Sequence, residues 1–273
     1  MIAKWMTTNL QQRFADKNLD FDVYFKPYAI EKLSLWDASC YTIKKIADFY
    51  DNLFLSLSGG LDSEFVLKVC IENKIPIKPI IVVMNGHEEE TSYALKFCKR
   101  NNITPMVVKP TDREIIKLWY DYIYTIYGRG RHSCPILKSL EIAEQQDGWL
   151  LTGDCPPTSD DHSEDIDLPM HNSFHLAEWD FYVSELFGHP GGLLGYSQEC
   201  MYGFLNEIDT NLSTQKAKSK LYDLEMRPKI YSNHSKATKI VFDELTSNES
   251  KFSVELGTYE YVKNILANIE NNA

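Results

Sequence analysis

The residues best suited to chemistry form a glycine-rich turn that follows a short apolar run. Residues 53–57 are apolar apart from one serine, residues 58–63 read Ser-Gly-Gly-Leu-Asp-Ser, and a helical pattern occupies residues 64–73. Where a turn leads from a parallel strand into a helix, backbone N–H groups converge and the positive end of the helix attracts anions. Gly59 and Gly60 let the backbone approach a phosphate because they have no Cβ. The turn therefore predicts a phosphate-binding site.

The side chains of this turn have distinct expected roles. Ser58 and Ser63 can each donate a hydroxyl hydrogen bond to phosphate. Asp62 would be repelled by phosphates unless it binds Mg²⁺ or the helix end. Two other nucleotide-binding loops are excluded, because the turn contains no lysine and no G-x-x-x-x-G-K-[ST] or G-x-G-x-x-G pattern is present.

The elements that position the turn are predicted from alternating apolar runs and helical patterns. Strands are predicted at residues 53–57, 80–84, 105–109 and 149–154, and helices at 64–73, 90–101, 111–127 and from 133 or 134 onward. Near-continuous apolar strands separated by helices predict an α/β fold with a parallel sheet covered on both faces.

The rest of the chain is predicted to be mostly helical. The predicted elements are a possible edge strand at 21–25 and helices at 38–50, 177–187, 197–205, 212–224 and 254–267. We therefore divide the chain into an N-terminal helix and possible edge strand (1–45), a nucleotide-binding domain (46–157) and a helical substrate-specificity region (158–273).

Composition and charge narrow the class of protein. The chain has 273 residues and a net charge of −11, which argues against broad nucleic-acid binding, so no stable DNA binding is expected. It has no apolar run near the roughly 18 residues of a membrane helix and no signal-peptide pattern, so we expect a cytoplasmic protein. The six cysteines form no C-x-x-C pair. Most are therefore expected to be small buried hydrophobes.

In this βαβ setting, residues 58–63 resemble the PP-loop of the ATP pyrophosphatase (adenine nucleotide alpha hydrolase-like) superfamily. The superfamily pattern S-G-G-x-D-S is matched at all five fixed positions, and the resemblance covers roughly residues 45–157. It implies that ATP is cleaved to AMP and pyrophosphate while an acceptor is adenylated, before an amide, an amidine or a sulfur-containing product forms. The resemblance also assigns the ATP- and Mg²⁺-binding residues: Ser58, Gly59, Gly60, Leu61, Asp62 and Ser63 for the pyrophosphate and its Mg²⁺, the backbone near Val83, Met84 and Asn85 for adenine, and Gly153 beside the nucleotide.

Two further segments resemble the phosphoadenylyl-sulfate reductase branch of this superfamily. Residues 85–91 are similar to its D-T-G-x-x-x-x-E-T segment, and residues 132–138 to its C-x-x-x-K element. Asn85 replaces the threonine, and no aspartate precedes it. The paired iron–sulfur cysteines are absent, and residues 199–203 match the catalytic E-C-G-L-H motif only weakly. A sulfonucleotide reductase-like protein is thus one alternative. A non-catalytic adenine-nucleotide-binding protein is another.

Several cations outside the turn are candidates for contacts with a polyanion. Lys138 lies one turn into a predicted helix and could reach the α-phosphate, and Arg131, in the basic loop 128–132 with Arg129 and His132, could close over the nucleotide. Residues 211–240 contain seven Lys or Arg and two acidic residues. This segment is either a clamp for an anionic ligand or a solvated helix face.

The remaining candidates concern metals, thiols and partners. His171, His175 and Glu178 would present three metal-binding groups on one face of a helix, although no fourth ligand is evident. Cys134 and Cys155 would emerge near the carboxyl edge of the sheet, where a sulfur-transfer role is conceivable, but we interpret them as inert thiols. The expected partner is a small-molecule or nucleic-acid-derived acceptor, and a homodimer is possible.

Overall fold

The computed structural model describes residues 5–16, 19–84, 88–122, 134–153, 173–177, 181–226 and 253–267. The first half contains β1 (Met6–Thr8), α1 (Leu10–Ala15), β2 (Val23–Phe25), α2 (Leu35–Phe49), β3 (Leu53–Ser56), α3 (Leu61–Glu72), β4 (Lys78–Val82), α4 (Glu88–Arg100), β5 (Met106–Val108) and α5 (Asp112–Tyr122). The second half contains α6 (Cys134–Gln145), β6 (Trp149–Leu151), β7 (Ser173–Ala177), a π-helix (Tyr182–Leu186), α7 (Leu193–Tyr196), α8 (Gln198–Glu207), α9 (Thr214–Tyr222), β8 (Ser253–Thr258) and α10 (Tyr259–Ala267).

A four-stranded parallel sheet forms the centre of the molecule. Its strand order is β5-β4-β3-β6, and Leu55 of β3 lies opposite Pro79 of β4 and Leu151 of β6. All four residues of β3 are buried, as expected for a central strand covered on both faces. The predicted α/β fold is confirmed, with strand and helix boundaries displaced by a few residues.

Helices α3 and α4 pack against the sheet through their buried faces. In α3, Phe65, Val66, Val69 and Cys70 are buried. In α4 the buried residues Thr91, Ala94 and Cys98 recur at helical spacing, while three glutamates occupy the first turn. Carboxylates near a helix N-terminus are stabilised by the helix dipole.

The outer edge of β6 is completed by a short segment around His189 rather than by a full strand. Gly191 pairs in parallel with Leu151, and the backbone N–H of Leu150 donates to Nδ1 of His189 at 2.9 Å. This ring nitrogen must be unprotonated to accept that hydrogen bond. Burial lowers the pKa of His189, an effect that nearby Glu144 opposes.

The N-terminal segment does not extend the central sheet. The possible edge strand at 21–25 is a strand, Val23–Phe25, but it pairs antiparallel with Met6–Thr8 in a separate two-stranded sheet. Glu185 in the π-helix anchors this two-stranded sheet, because one of its oxygens accepts the backbone N–H of Thr8 at 3.0 Å and the other accepts the Thr8 hydroxyl.

Two helices predicted in the C-terminal region need correction. Ala177 ends strand β7, so the helix expected at 177–187 is wrong in its first part, and the predicted helix at 254–267 begins only at Tyr259. Strands β7 and β8 pair antiparallel although about 80 residues separate them. Local periodicity could not reveal this pairing, because each strand is stabilised by a partner far away in the chain. None of the described helices is both long and apolar enough to cross a membrane.

Candidate functional site

The glycine-rich turn, residues 58–63, lies at the carboxyl end of central strand β3. The backbone N–H of Leu57 still pairs with Ile80 O at 2.9 Å, and α3 begins four residues later, at Leu61. Ligands of open α/β sheets bind in the crevice at this edge. The turn therefore lies where a phosphate-binding loop requires it.

Hydrogen bonds within the turn hold its shape. The backbone N–H of Gly60 donates to Ser58 Oγ at 3.2 Å, and Ser63 Oγ donates to Gly60 O at 3.1 Å. The two serine hydroxyls are 3.2 Å apart. Ser63 is buried and Ser58 is exposed, so Ser58 is the hydroxyl more accessible to a ligand. Leu61 is part of the core, and only its backbone is available at the first turn of α3.

Two glycines allow neighbouring backbone to approach the turn closely. Gly59 has a φ of +97°, and a Cβ there would lie 2.3 Å from the carbonyl oxygen of Glu90. A Cβ on Gly153, just after β6, would lie 2.2 Å from the backbone nitrogen of Ser63. Gly153 was expected to approach the nucleotide; in the structure it packs directly against the turn.

Asp62 is held by two side chains from a distant helix. Its Oδ2 pairs with Lys218 Nζ at 2.9 Å, and its Oδ1 accepts a hydrogen bond from the Tyr222 hydroxyl at 2.7 Å. Both partners lie on α9. The pairing brings a buried ammonium group, with 10% of its side chain exposed, to the first turn of α3.

Helix α9 is fixed along α3 by further contacts. The rings of Tyr222 and Phe65 stack with centroids 4.4 Å apart. Lys68 Nζ donates to the carbonyl oxygens of Tyr222 and Asp223 at 3.1 and 3.0 Å. Carbonyls at a helix C-terminus have no intrahelical partner, so this lysine satisfies both their hydrogen bonds and the local negative charge.

The described part of the basic segment, residues 211–226, contains lysines in different environments, and its other cations (Arg227, Lys229, Lys236 and Lys239) lie outside the described residues. Lys218 is 8% exposed and touches the turn, whereas Lys216 and Lys220 are exposed and Lys220 pairs with Asp209 at 3.3 Å. The sequence drew attention to this segment but could not select Lys218. Tyr222 was missed altogether, since a tyrosine at a helical core position carries no functional signal.

The geometry around Asp62 does not fit a magnesium ion held by the protein alone. Mg²⁺ takes oxygen ligands at about 2.0–2.1 Å, and both Asp62 oxygens already have protein partners, one of them cationic. The described residues also contain no cluster of three or more metal-ligating side chains. The magnesium role of Asp62 stays a prediction.

Met84 and Lys138 are two other residues that were expected to contribute to the site. Met84 is buried with Phe54 and Ile80, which leaves its backbone for adenine. Lys138 on α6 pairs with Glu141 of the same helix, while Ser139 donates to Ser56 at the end of β3 at 3.1 Å. Helix α6 is therefore fixed at the correct edge of the sheet, and contact of Lys138 with the α-phosphate stays a prediction.

Two of the described thiols, Cys134 and Cys200, are fully buried. Burial raises the pKa of Cys134 to about 12 and that of Cys200 to about 11. Cys200 lies 3.2 Å from the Thr42 hydroxyl and 3.8 Å from that of Ser39. A nucleophilic cysteine requires a lowered pKa, so neither thiol suits sulfur transfer or reduction.

One predicted metal site is wrong in its geometry. His175 lies in strand β7, so it cannot share a helix face with residues four positions before it or three after it. Several predicted residues lie outside the described part of the chain: Asn85, Arg129, Arg131, His132, Cys155, His171 and Glu178.

No family model and no curated protein matches the sequence. Among solved structures, the chain is similar to an NH3-dependent NAD synthetase from Campylobacter jejuni (14% identity, TM-score 0.32), over 45% of this chain and 57% of that one. It is also similar to a glutamine-dependent NAD+ synthetase from Acinetobacter baumannii, with 11% identity and a TM-score of 0.34 over 48% of this chain and 30% of that one. A third similar structure is an NMN synthetase from Francisella tularensis, with 12% identity and a TM-score of 0.38 over 86% of this chain and 94% of that one. The match spans little more than half of the first synthetase and less than a third of the second. At these TM-scores, any assignment of function must rest on the turn and its contacts.

Proposed function

We propose that this chain is an ATP-dependent enzyme that binds ATP on residues 58–63 and transfers the adenylyl group to an acceptor, with release of pyrophosphate. The observation that carries the proposal is the glycine-rich turn at the carboxyl end of β3, joined there by the buried ammonium group of Lys218. The acceptor is a small molecule or is derived from a nucleic acid, and adenylation prepares it for amide, amidine or sulfur insertion.

The arrangement suits a reaction in which pyrophosphate leaves. The bond between the α-phosphorus and its bridging oxygen breaks while an acceptor oxygen bonds to that phosphorus, so negative charge grows on the departing pyrophosphate. The first N–H groups of α3 have no intrahelical partner, and Gly60, the residue that precedes the helix, has no side chain to cap them. These donors and the Lys218 ammonium can neutralise the developing charge without reorganising.

Lys218 supplies a positive charge that the turn itself lacks. Phosphate-binding loops of the G-x-x-x-x-G-K-[ST] type carry their own lysine, but residues 58–63 contain none. Helix α9 supplies this charge from about 155 residues further along the chain. Magnesium would accompany ATP as ligand of the phosphate oxygens, adding to the neutralisation.

Division of the chain follows from the same proposal. Residues 46–157 form most of the nucleotide-binding part, helix α9 adds Lys218 to it, and the rest of the region from residue 158 onward carries acceptor specificity. The buried thiols of Cys134 and Cys200 give no support to reductase-like chemistry, because their raised pKa values disfavour the thiolate.

Binding and turnover can be tested separately. At a hundredfold excess over its Kd, a ligand of the native state adds about 2.7 kcal/mol of stability, which raises Tm by roughly 5–10 °C for a chain of this size. We expect this rise with ATP, a smaller one with pyrophosphate, and none with adenylyl sulfate. Pyrophosphate should then be released when pools of carboxylate, amide or modified-base acceptors are added, and an equal amount of AMP should follow when ammonia or a sulfur donor displaces the adenylyl group from the acceptor.

Three outcomes separate the candidate functions. No rise in Tm with either ATP or adenylyl sulfate rejects the site itself. A rise without pyrophosphate release from any acceptor pool supports a non-catalytic nucleotide-binding protein. A rise with adenylyl sulfate alone supports the sulfonucleotide alternative.

A further inference from the structure

We infer that helix α9 is part of the nucleotide site and that Asp62 is a positioning residue for Lys218, held in place by Tyr222, rather than a magnesium ligand. This inference rests on the proposed function. It assigns one helix of the region beyond residue 158 to binding of the pyrophosphate group instead of the acceptor.

The first support is that each oxygen of the Asp62 carboxylate already has a protein partner. One oxygen is paired with an ammonium group at 2.9 Å and the other accepts a tyrosine hydroxyl at 2.7 Å. A Mg²⁺ ion bound to Oδ2 at about 2.1 Å would lie no more than about 5 Å from the Lys218 nitrogen. Two cations so close in a partly buried setting repel each other. The carboxylate is therefore arranged to hold a lysine.

The second support is the direction in which α9 runs. Along α3, Asp62 meets Lys218 and Tyr222, and Lys68, nearly two turns later, meets the carbonyls of Tyr222 and Asp223. The two helices therefore run side by side in the same direction. The N-terminal end of α9 consequently lies toward the phosphate-binding edge of the sheet, and Lys218 reaches the first turn of α3 from there.

The third support is the rigidity of the attachment. Tyr222 is 3% exposed, stacks on Phe65 at 4.4 Å and lies 6.5 Å from the ring of Phe204. Its ring is fixed by packing, so its hydroxyl holds Asp62 in one orientation. Asp62 in turn fixes the flexible lysine side chain, which would otherwise lose conformational entropy on binding a ligand. Pre-organised charge of this kind is what pyrophosphate binding requires.

A charge-removal pair on one helix tests the role of Lys218. Lys218→Met keeps the length of the side chain and removes its charge, and Lys220→Met removes the same charge from an exposed position on the same helix. ATP affinity, measured by calorimetry in EDTA and again with Mg²⁺, should fall at least about tenfold for Lys218→Met in both conditions and stay within about twofold for Lys220→Met. Equal ATP affinity in the Lys218→Met variant and the native protein would overturn the inference.

Replacement of Asp62 distinguishes a positioning residue from a metal ligand. In the Asp62→Asn variant, the fold-gain in ATP affinity caused by Mg²⁺ should equal that of the native protein, because the ion is not held by this side chain. Loss of that gain would show that Asp62 ligates the metal, and the inference would fall. If the variant does not fold, as judged by its circular dichroism and melting curve, the decision passes to Lys218→Met and Tyr222→Phe.

Tyr222→Phe tests the positioning role directly, because the ring keeps its packing and only the hydroxyl is lost. We expect a Tm lowered by a few degrees, because a partly buried hydrogen bond to a carboxylate is lost. We also expect a modestly higher KM for ATP and a kcat for pyrophosphate release several-fold lower, since a misplaced lysine costs more in the transition state than in the ground state. An unchanged kcat would contradict the role. Failure of the native protein to bind ATP differs from all these results, because it rejects the proposed function and this inference together.

Discussion

Substitution of Gly153 by alanine should damage both stability and ATP binding, because no space exists for a methyl group there. A Cβ on this residue would lie 2.2 Å from the backbone nitrogen, 2.4 Å from Cα and 2.6 Å from Cβ of Ser63. Ordinary van der Waals contact begins at 3.4 Å. The end of β6 and the turn must therefore separate by about 1 Å to remove the overlap.

The size of the effect follows from that displacement. Forcing a methyl group into a packed site costs about 1–3 kcal/mol, which lowers Tm by roughly 2–10 °C in a chain of this length. Misplacement of a binding group by about 1 Å can reduce a catalytic rate about a hundredfold. We therefore expect loss of most of the ATP-induced rise in Tm and of nearly all pyrophosphate release.

The matched control is Gly195→Ala in α7. No atom lies within 4 Å of a Cβ at this exposed position, so the same chemical change should be close to neutral. Both variants are compared by urea unfolding and by melting with and without ATP. Equal stability and equal ATP response in the Gly153 and Gly195 variants would refute the idea that β6 presses on the turn.

Two further predictions concern the scaffold. Burial lowers the pKa of His189 in the folded state, so its stabilising contribution is complete above the unfolded pKa of about 6.5 and is lost as the pH falls below that value. Between pH 7 and pH 5 the free energy of unfolding should therefore fall less steeply in the His189→Gln variant, whose amide oxygen can still accept the N–H of Leu150. Identical slopes in the variant and the native protein would contradict this. Ser34 caps α2 by accepting the N–H of Asp37 at 3.1 Å, so Ser34→Ala should lower the free energy of unfolding by about 1 kcal/mol in urea titrations, and a loss below about 0.3 kcal/mol would contradict the capping role.

Much of the central fold was predictable from the sequence because its signals are local. Strand β3, the turn and helix α3 follow one another within about 20 residues, and each has its own pattern of apolar residues or glycines. The predicted strands at 53–57, 80–84, 105–109 and 149–154 each contain an observed strand or overlap it. By contrast, the first part of the helix predicted at 254–267 was wrong, because these residues lie in strand β8. The partner of this strand, β7, lies about 80 residues earlier in the chain.

The candidate site shows the same division between local and distant information. Residues 58–63 predicted the position of the turn between β3 and α3, since it depends on glycine, on a helix start and on the preceding strand. That Asp62 is bound by Lys218 and Tyr222 could not be predicted, because about 155 residues separate the partners. Likewise, the sequence predicted that Gly153 lies near the site, but only the tertiary structure shows that it packs directly against Ser63.

The sequence by itself thus determined the parallel α/β core and the glycine-rich turn at residues 58–63, because backbone geometry and apolar periodicity are encoded over short stretches. The tertiary structure decided which charges reach that loop. Packing of Tyr222 on Phe65 sets the place of α9, and this placement carries Lys218 to the carboxylate of Asp62. A contact made by the packing of two helices that are distant in the chain has no local sequence pattern, whereas a glycine-rich turn after a buried strand has one.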